Sequence, residues 1–321
     1  MVTEFELIDR LRNRLRQRQP QTQLSIGDDA ALLNLNRGTL AAAVDTLVAG
    51  VHFPEQTTAA DLGWKSLAVN LSDLAAMGAT PRWALLALTL PQVGESWVDE
   101  FADGWAELAD SVGIELIGGD TTRGPLSISV TVLGEVAQRP LLRSGASAGD
   151  DLYVSGQLGE AAAGLALLQD RLGCVGSDAQ RAALLARLNR PAPRVALGQA
   201  LAAQASAAID VSDGLLSDLA HLLRASNLAA MLDLNRLQPS AALAAVIPDA
   251  RARTHCMLNG GDDYELLFSA PASAADAIDQ ISADTGTAVR RIGRLDQGTR
   301  GLIYAAGSEQ PLVAQGWDHF R

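Results

Sequence analysis

The stretch Ala207-Ala-Ile-Asp210-Val-Ser-Asp213-Gly214-Leu limits what this chain can fold into more than any other. A short apolar run belongs in a core, but two carboxylates, a hydroxyl and a glycine at its end do not. The run therefore reads as a strand that delivers Asp210, Ser212 and Asp213 to a surface, with Gly214 turning the chain into an apolar-periodic helix over 214–226. The same device recurs. Asp28 and Asp29, Asp45, Asp73, Asp120, and Asp262 with Asp263 all sit in punctuation rich in glycine, serine or threonine beside apolar runs.

Strands alternate with helices along the rest of the chain, which gives an α/β or α+β class. Apolar spacing predicts helices over 3–18, 59–77, 95–112, 159–171, 178–189, 194–204 and 273–285. Strands are expected over 39–44, ending at Asp45, and over 83–90, 114–117, 126–136, 151–155, 207–211 and 264–269, with two more near 288–293 and 301–305. The turn-rich join Arg143-Ser-Gly-Ala-Ser-Ala-Gly-Asp150 is the best boundary, dividing the chain into domains 1–140 and 149–321. A faint internal echo links Val69-Asn-Leu-Ser-Asp73 with Ile209-Asp-Val-Ser-Asp213, each followed by Gly-Gly-Asp, at 118–120 and 260–262. Either two related halves share one strand order over 60–137 and 200–270, or the echo is coincidence.

Composition decides what such acids are for. A formal net charge of −12 and a pI of about 4.7 argue against a nucleic-acid backbone or an anionic membrane as the main partner. Carboxylates also repel phosphates unless divalent cations reverse the local sign. Six or seven short-stemmed aspartates suit Mg²⁺, a small hard ion that prefers carboxylate and water oxygens. The reading is therefore a Mg²⁺-rich site that handles phosphates, although any single Asp could be a helix cap or turn former. Gly118-Gly119 and Gly260-Gly261 could let backbone amides approach a phosphate, or simply make tight turns. No GxxxxGK[ST] is present, Lys65 is the only lysine, and no GxGxxG follows a strand, which excludes a P-loop and disfavours a Rossmann cofactor. Asp284-Thr-Gly286 lies in a helix-to-strand region unsuited to an aspartic protease. The only cysteines, Cys174 and Cys256, and the scattered histidines argue against structural zinc or disulfides. The acidic first residues and the lack of an apolar run of about 18 residues lead to the expectation of a soluble, cytoplasmic protein.

Seven segments taken together resemble the thiamine-monophosphate kinase family of the aminoimidazole ribonucleotide synthetase-like superfamily. They are Gly27-Asp-Asp-Ala-Ala31, Asp45-Thr-Leu-Val-Ala-Gly-Val-His52-Phe53, Asn70-Leu-Ser-Asp-Leu-Ala-Ala-Met-Gly78, Leu116-Ile-Gly-Gly-Asp-Thr121, Asp210-Val-Ser-Asp-Gly-Leu215, Gly260-Gly-Asp-Asp-Tyr-Glu-Leu266 and Gly316-Trp-Asp-His-Phe320. The resemblance spans the whole chain in order. It implies a two-domain fold with an N-terminal mixed sheet with helices that pairs with the sheet of a second subunit, and a C-terminal α/β domain. It implies Mg²⁺-assisted phosphoryl transfer from ATP to thiamine monophosphate in a homodimer. Carried over, Asp28, Asp29, Asp45, Asp73, Asp120, Asp210 and Asp213 would be metal ligands. Gly119, Asp120, Arg143 and Ser212 would contact ATP, and His52, Asp262 and Trp317 the thiamine substrate, with no catalytic side chain beyond these ligands. His52 and Trp317 could instead be packing residues, and Arg143 a linker ion-pair partner. Three departures stand out. Ala43 and Val44 replace hydroxyl residues before Asp45, Asp262 replaces a longer glutamate, and near Ala102 only Phe101 or Trp105 could face an adenine. Another ATP-using synthetase of the superfamily, or a non-catalytic nucleotide-binding regulator, are the alternatives.

Overall fold

The computed structural model describes residues 10–11, 13–15, 19–24, 32–33, 38–92, 94–137, 139–172 and 175–315. Asp28, Asp29 and Trp317, and most of the expected helix over 3–18, lie outside the described residues. The chain divides into two compact units, one of Met1–Leu74 with Ala79–Ala137, the other of Ala75–Gly78 with Gln138–Arg321.

After the short strands β1 (Thr22–Leu24) and β2 (Leu32–Leu33), the first unit is built on β3 (Thr39–Val48), α1 (Ala59–Ala76), β4 (Thr80–Leu90), α2 (Glu95–Val112), β5 (Glu115–Arg123) and β6 (Ser127–Val136). The sheet order is β3-β6-β4-β5, antiparallel except for the β4–β5 pair, so α2 is the crossover of a parallel pair. Alternation along β6 buries Ile128, Val130 and Val132 completely, as a sheet covered on one face requires. Helix α1 lies on that face, with Leu74 against Gly134 and Asn70 bonded to Asp45. In α2, Val98, Phe101, Trp105 and Leu108 form the buried stripe. The two helices cross where only glycine fits, because a Cβ on Gly63 would meet the Phe101 carbonyl at 2.0 Å and one on Gly104 the Ala60 carbonyl at 1.9 Å. Among the described residues no helix of this unit is seen against the other face of the sheet. Val44 of β3, Thr131 of β6 and Leu85 of β4 form one cross-strand row on it, with Val44 61% exposed.

The second unit contains β7 (Asp151–Ser155), α3 (Glu160–Leu168), α4 (Asp178–Asn189), α5 (Val195–Leu201), β8 (Ala207–Val211), α6 (Leu215–Ser226), β9 (Ala229–Leu232), α7 (Ala241–Val246), α8 (Ala250–Asn259), β10 (Glu265–Ala270), α9 (Ala275–Thr285), β11 (Val289–Asp296) and β12 (Ile303–Ala305). The six-stranded order is β12-β9-β11-β7-β10-β8, with only the β12–β9 pair parallel. Every residue of β7, β8 and β10 is buried, the signature of strands covered on both faces. Ile209, Val211 and Leu267 pack in one core with Leu215, Leu219, Leu222 and Leu223 of α6, whose spacing is helical.

Two expectations need correction. Strand β3 does not stop at Asp45 but runs to Val48, and β5 runs through Gly118-Gly119-Asp120 to Arg123. Among the described residues both are edge strands of the sheet, and each carries an exposed acid mid-strand, Asp45 and Asp120. The repeat also fails. Residues 60–137 place β6, β4 and β5 side by side, whereas over 200–270 β8 neighbours β10 and β9 is separated from both by β11 and β7. Asp73 lies within a helix and Asp213 in a turn after a strand, so the echo is confined to sequence.

Candidate functional site

In the first unit, Asp45 lies on β3 and Asp73 on α1, and Asn70 ties the two elements together. The Asp45 amide donates to Oδ1 of Asn70 at 2.9 Å, and the Asn70 side-chain nitrogen donates to the Ser66 carbonyl at 2.9 Å. Asn70 is completely buried, and Asp73 is one turn further along the same helical face. Asp45 is exposed and Asp73 half-buried. The cross-strand row Asp45–Val130–Leu86–Gly119 puts Asp120, one residue beyond Gly119, on the opposite edge of the sheet. Three strand spacings separate those edges, roughly 14 Å along the sheet. Gly119 is required by packing, since a Cβ there would lie 1.8 Å from the Leu86 carbonyl oxygen; it sits within a strand and makes no turn. His52 follows β3 in a loop closed by Gly50, whose amide donates to the Phe53 carbonyl at 2.9 Å, and Phe53 is buried as the anchor. Nδ1 of His52 accepts the Val48 amide at 3.0 Å, which leaves the ring proton on Nε2 in the neutral form.

In the second unit, β8 ends as expected at an acidic turn. Asp210 is buried, and Ser212 and Asp213 are half-buried. The amides of Ser212 and Asp213 both donate to Oδ2 of Asp218, each at 3.1 Å. Burial, and then the charges of Asp210 and Asp213, push the Asp218 carboxyl up to about 8, against the pull of those two amides. The Gly260–Asp263 segment lies against this turn. The Asp262 amide donates to the Ser212 carbonyl and the Tyr264 amide to the Val211 carbonyl, both at 2.8 Å. Asp262 and Tyr264 adopt left-handed conformations, with φ of 66° and 50°, and the Tyr264 hydroxyl donates to Oδ1 of Asp262 at 3.0 Å. Two non-glycine residues held in that region mark a constrained segment. Arg143 is exposed beside α6, with its carbonyl accepting the Ser226 hydroxyl at 2.7 Å. Desolvation, then the charges of Arg224 and Arg143, lower the His221 imidazole, while Asp213 opposes them.

The neighbouring acids are structural. Asp263 accepts the Gly159 amide at 2.7 Å at the start of α3, and burial raises its carboxyl well above the ordinary range. Glu265 is fully buried; burial alone would raise it, but Arg194 and Arg187, at 2.5 and 2.6 Å, hold it below its usual value. Neither aromatic considered for adenine is available. Phe101 and Trp105 have no exposed surface and serve the α2 core. Lys65 is also buried, within α1. Among the described residues no group of three or more His, Cys, Asp or Glu is arranged to hold a metal ion. Each unit nonetheless presents a set of carboxylate oxygens, the donor type a hard divalent cation takes. Asn70, Asp218 and Tyr264 are the residues that sequence reasoning missed. An acid five residues after Asp213 was the only visible hint of Asp218.

Residues 27–136 match the family described as AIR synthase related protein, N-terminal domain, and residues 147–305 its C-terminal domain. A thiamine-monophosphate kinase of Escherichia coli (strain K12) is 47% identical over 321 residues, 99% of this chain and 98% of that protein. The crystal structure of thiamine-monophosphate kinase from Stenotrophomonas maltophilia K279a superposes with a TM-score of 0.88 at 48% identity, covering 96% of this chain and 98% of that one. A structure of AaThiL complexed with AMPPCP and TMP superposes with a TM-score of 0.80 at 31% identity, over 99% of this chain and 97% of that one. With both family domains in order and likeness along nearly its whole length, the chain belongs to the AIR synthase related family and, within it, to the thiamine-monophosphate kinases.

Proposed function

We propose that this chain transfers the terminal phosphoryl group of ATP to thiamine monophosphate, giving ADP and thiamine diphosphate, with Mg²⁺. The observation that carries the reading is full-length likeness to kinases of this kind, one of them holding AMPPCP and TMP, in a chain whose own acids are set on packed elements. Asp28, Asp29, Asp45, Asp73, Asp120, Asp210 and Asp213 are the proposed metal ligands. Their all-oxygen donor set fits Mg²⁺, and their number suits several ions. Bound Mg²⁺ would neutralise phosphate charge and so reduce the repulsion between two anionic substrates.

The rest falls to the protein. The nucleophile is an oxygen of the substrate phosphate, whose second pKa is about 6, so no strong base is required. Gly119, Asp120, Arg143 and Ser212 would hold ATP, Arg143 adding positive charge to a strongly acidic chain. His52 offers an Nε2–H donor, and Asp262, with Trp317, would orient the thiamine. These residues position and screen, and the reaction is in-line without a covalent enzyme intermediate. Domain 1–140 would carry ATP and metal, and 149–321 complete the active site.

The first unit supports a homodimer. Among the described residues β3 pairs with β6 alone, and Leu40 and Val44 are 40% and 61% exposed, a long apolar edge suited to a second copy. No described helix is long and apolar enough to cross a membrane, and we place the enzyme in the cytoplasm, where ATP is supplied. Incubation with Mg-ATP and thiamine monophosphate, followed by chromatography, should yield ADP and thiamine diphosphate in equal amounts. ADP formed only with another acceptor would overturn the kinase reading. Asp213→Asn should abolish most turnover with an unchanged circular dichroism spectrum.

A further inference from the structure

The geometry points to Asp218 as a positioning residue that fixes the direction of Ser212 and Asp213, and thereby the divalent-cation affinity of the second unit. This rests on the assignment of Asp213 and Ser212 to metal and phosphate. One carboxylate oxygen of Asp218 accepts two successive amides, those of Ser212 and Asp213, each at 3.1 Å. Two bonds from consecutive peptides to one buried atom fix both peptide planes, and with them the Cα–Cβ directions of the two residues. Asp218 is itself anchored, since its amide donates to the Gly214 carbonyl at 3.0 Å and it is only 3% exposed. Gly214, at φ 108°, lies so close to Asn259 that a Cβ would meet its backbone at 2.8 Å. The turn thus has a fixed entry into α6 and a fixed acceptor within it. The Ser212 carbonyl accepts the Asp262 amide at 2.8 Å, so the same turn also sets the backbone of Asp262.

Such a device suits adjacent acids. Asp210 and Asp213 repel each other, and an unsupported turn would relieve that by swinging Asp213 outward. Hydrogen bonds from behind hold it without occupying its oxygens. Partners of this kind, one bond removed from a ligand, typically set metal affinity by about 10- to 100-fold.

The test is a Mn²⁺ titration of the full chain followed by electron paramagnetic resonance, alongside steady-state kinetics, for wild type, Asp218→Ala, Asp218→Glu and Asp218→Asn. Alanine removes the acceptor and glutamate displaces it, whereas asparagine keeps one oxygen in place. The expected order is Mn²⁺ binding weakened about 10- to 100-fold in D218A and D218E and largely kept in D218N. KM for ATP should rise in the first two. Equal Mn²⁺ affinity in wild type, D218A and D218E, with only the melting temperature lowered, would overturn the proposal. If D218A does not fold, the other two decide. Weaker binding in D218E than in D218N supports positioning, and the reverse order sinks it by making charge the cause. The Mn²⁺ titration needs no acceptor substrate, so an absence of thiamine diphosphate would remove the kinase reading and leave this result to stand or fall alone.

Discussion

Single side chains show how the acids acquire a direction. Asn70, fully buried on α1, bonds the Asp45 amide on one side and the Ser66 carbonyl on the other. Asn70→Ala would remove the side-chain acceptor of the Asp45 amide. The expected loss is about 0.5–1.5 kcal/mol, read by urea unfolding, together with a raised Mg²⁺ requirement. From sequence, a charge set against an apolar run is expected to leave the core; Asp45, Asp73, Asp120, Asp213 and Asp262 do so at least in part, whereas Asp210 and Asp263 are buried. Asn70, Asp218 and Tyr264 were not legible in sequence, since a residue that accepts or donates one bond to a neighbouring backbone leaves no spacing signature. Asp262 shows the opposite case, a departure visible in sequence whose meaning came from structure. At φ 66° the left-handed conformation costs most side chains roughly 1–2 kcal/mol, and aspartate is among the residues that adopt it most readily. Aspartate in place of glutamate shortens the side chain but relaxes the backbone that presents it.

At the scale of elements, packing decides more than propensity. The α1–α2 crossing depends on Gly63 and Gly104, and Gly104→Ala would drive a methyl group to 1.9 Å from the Ala60 carbonyl. Separating the helices should cost about 1–3 kcal/mol, measurable as a lower urea midpoint with an unchanged slope. The entry to β10 carries a pH signature. Asp263 is raised on folding, so the unfolded chain releases its proton first, and this contribution to stability declines as pH rises above about 4. Glu265 is lowered, and its contribution is lost as pH falls below about 4. The melting temperature should therefore decline on both sides of an optimum, and Asp263→Asn should flatten the alkaline limb alone. A steeper limb in that variant would refute the assignment. Helix α2 was legible to the residue because its stripe is regular. Residues 227–259 were not assigned from sequence, since α8 buries only Met257 and Leu258 and shows no stripe. The available cues were Ser240 and Asp249, whose side chains cap the Leu243 and Ala252 amides at 3.1 and 2.7 Å.

At the scale of the molecule, the class of the fold followed from alternating strands and helices, whereas strand order did not, because sequence spacing carries no information about which strands become neighbours. The open edge of the first unit makes a prediction of its own. Leu40→Lys, a charge on β3 remote from the acids, should shift the proposed dimer to monomer in light scattering after gel filtration; an unchanged mass would exclude that edge as the contact. Strand β3 contains no lysine or proline over its ten residues, and the chain's one lysine, Lys65, is buried in a helix. Asp45 is the one charge of β3, and the strand lacks the lysine and proline that commonly keep an edge strand solitary. In the proposed dimer, folding and assembly through β3 would be one event: the melting temperature would depend on the protein's own concentration, and dilution would act as a denaturant.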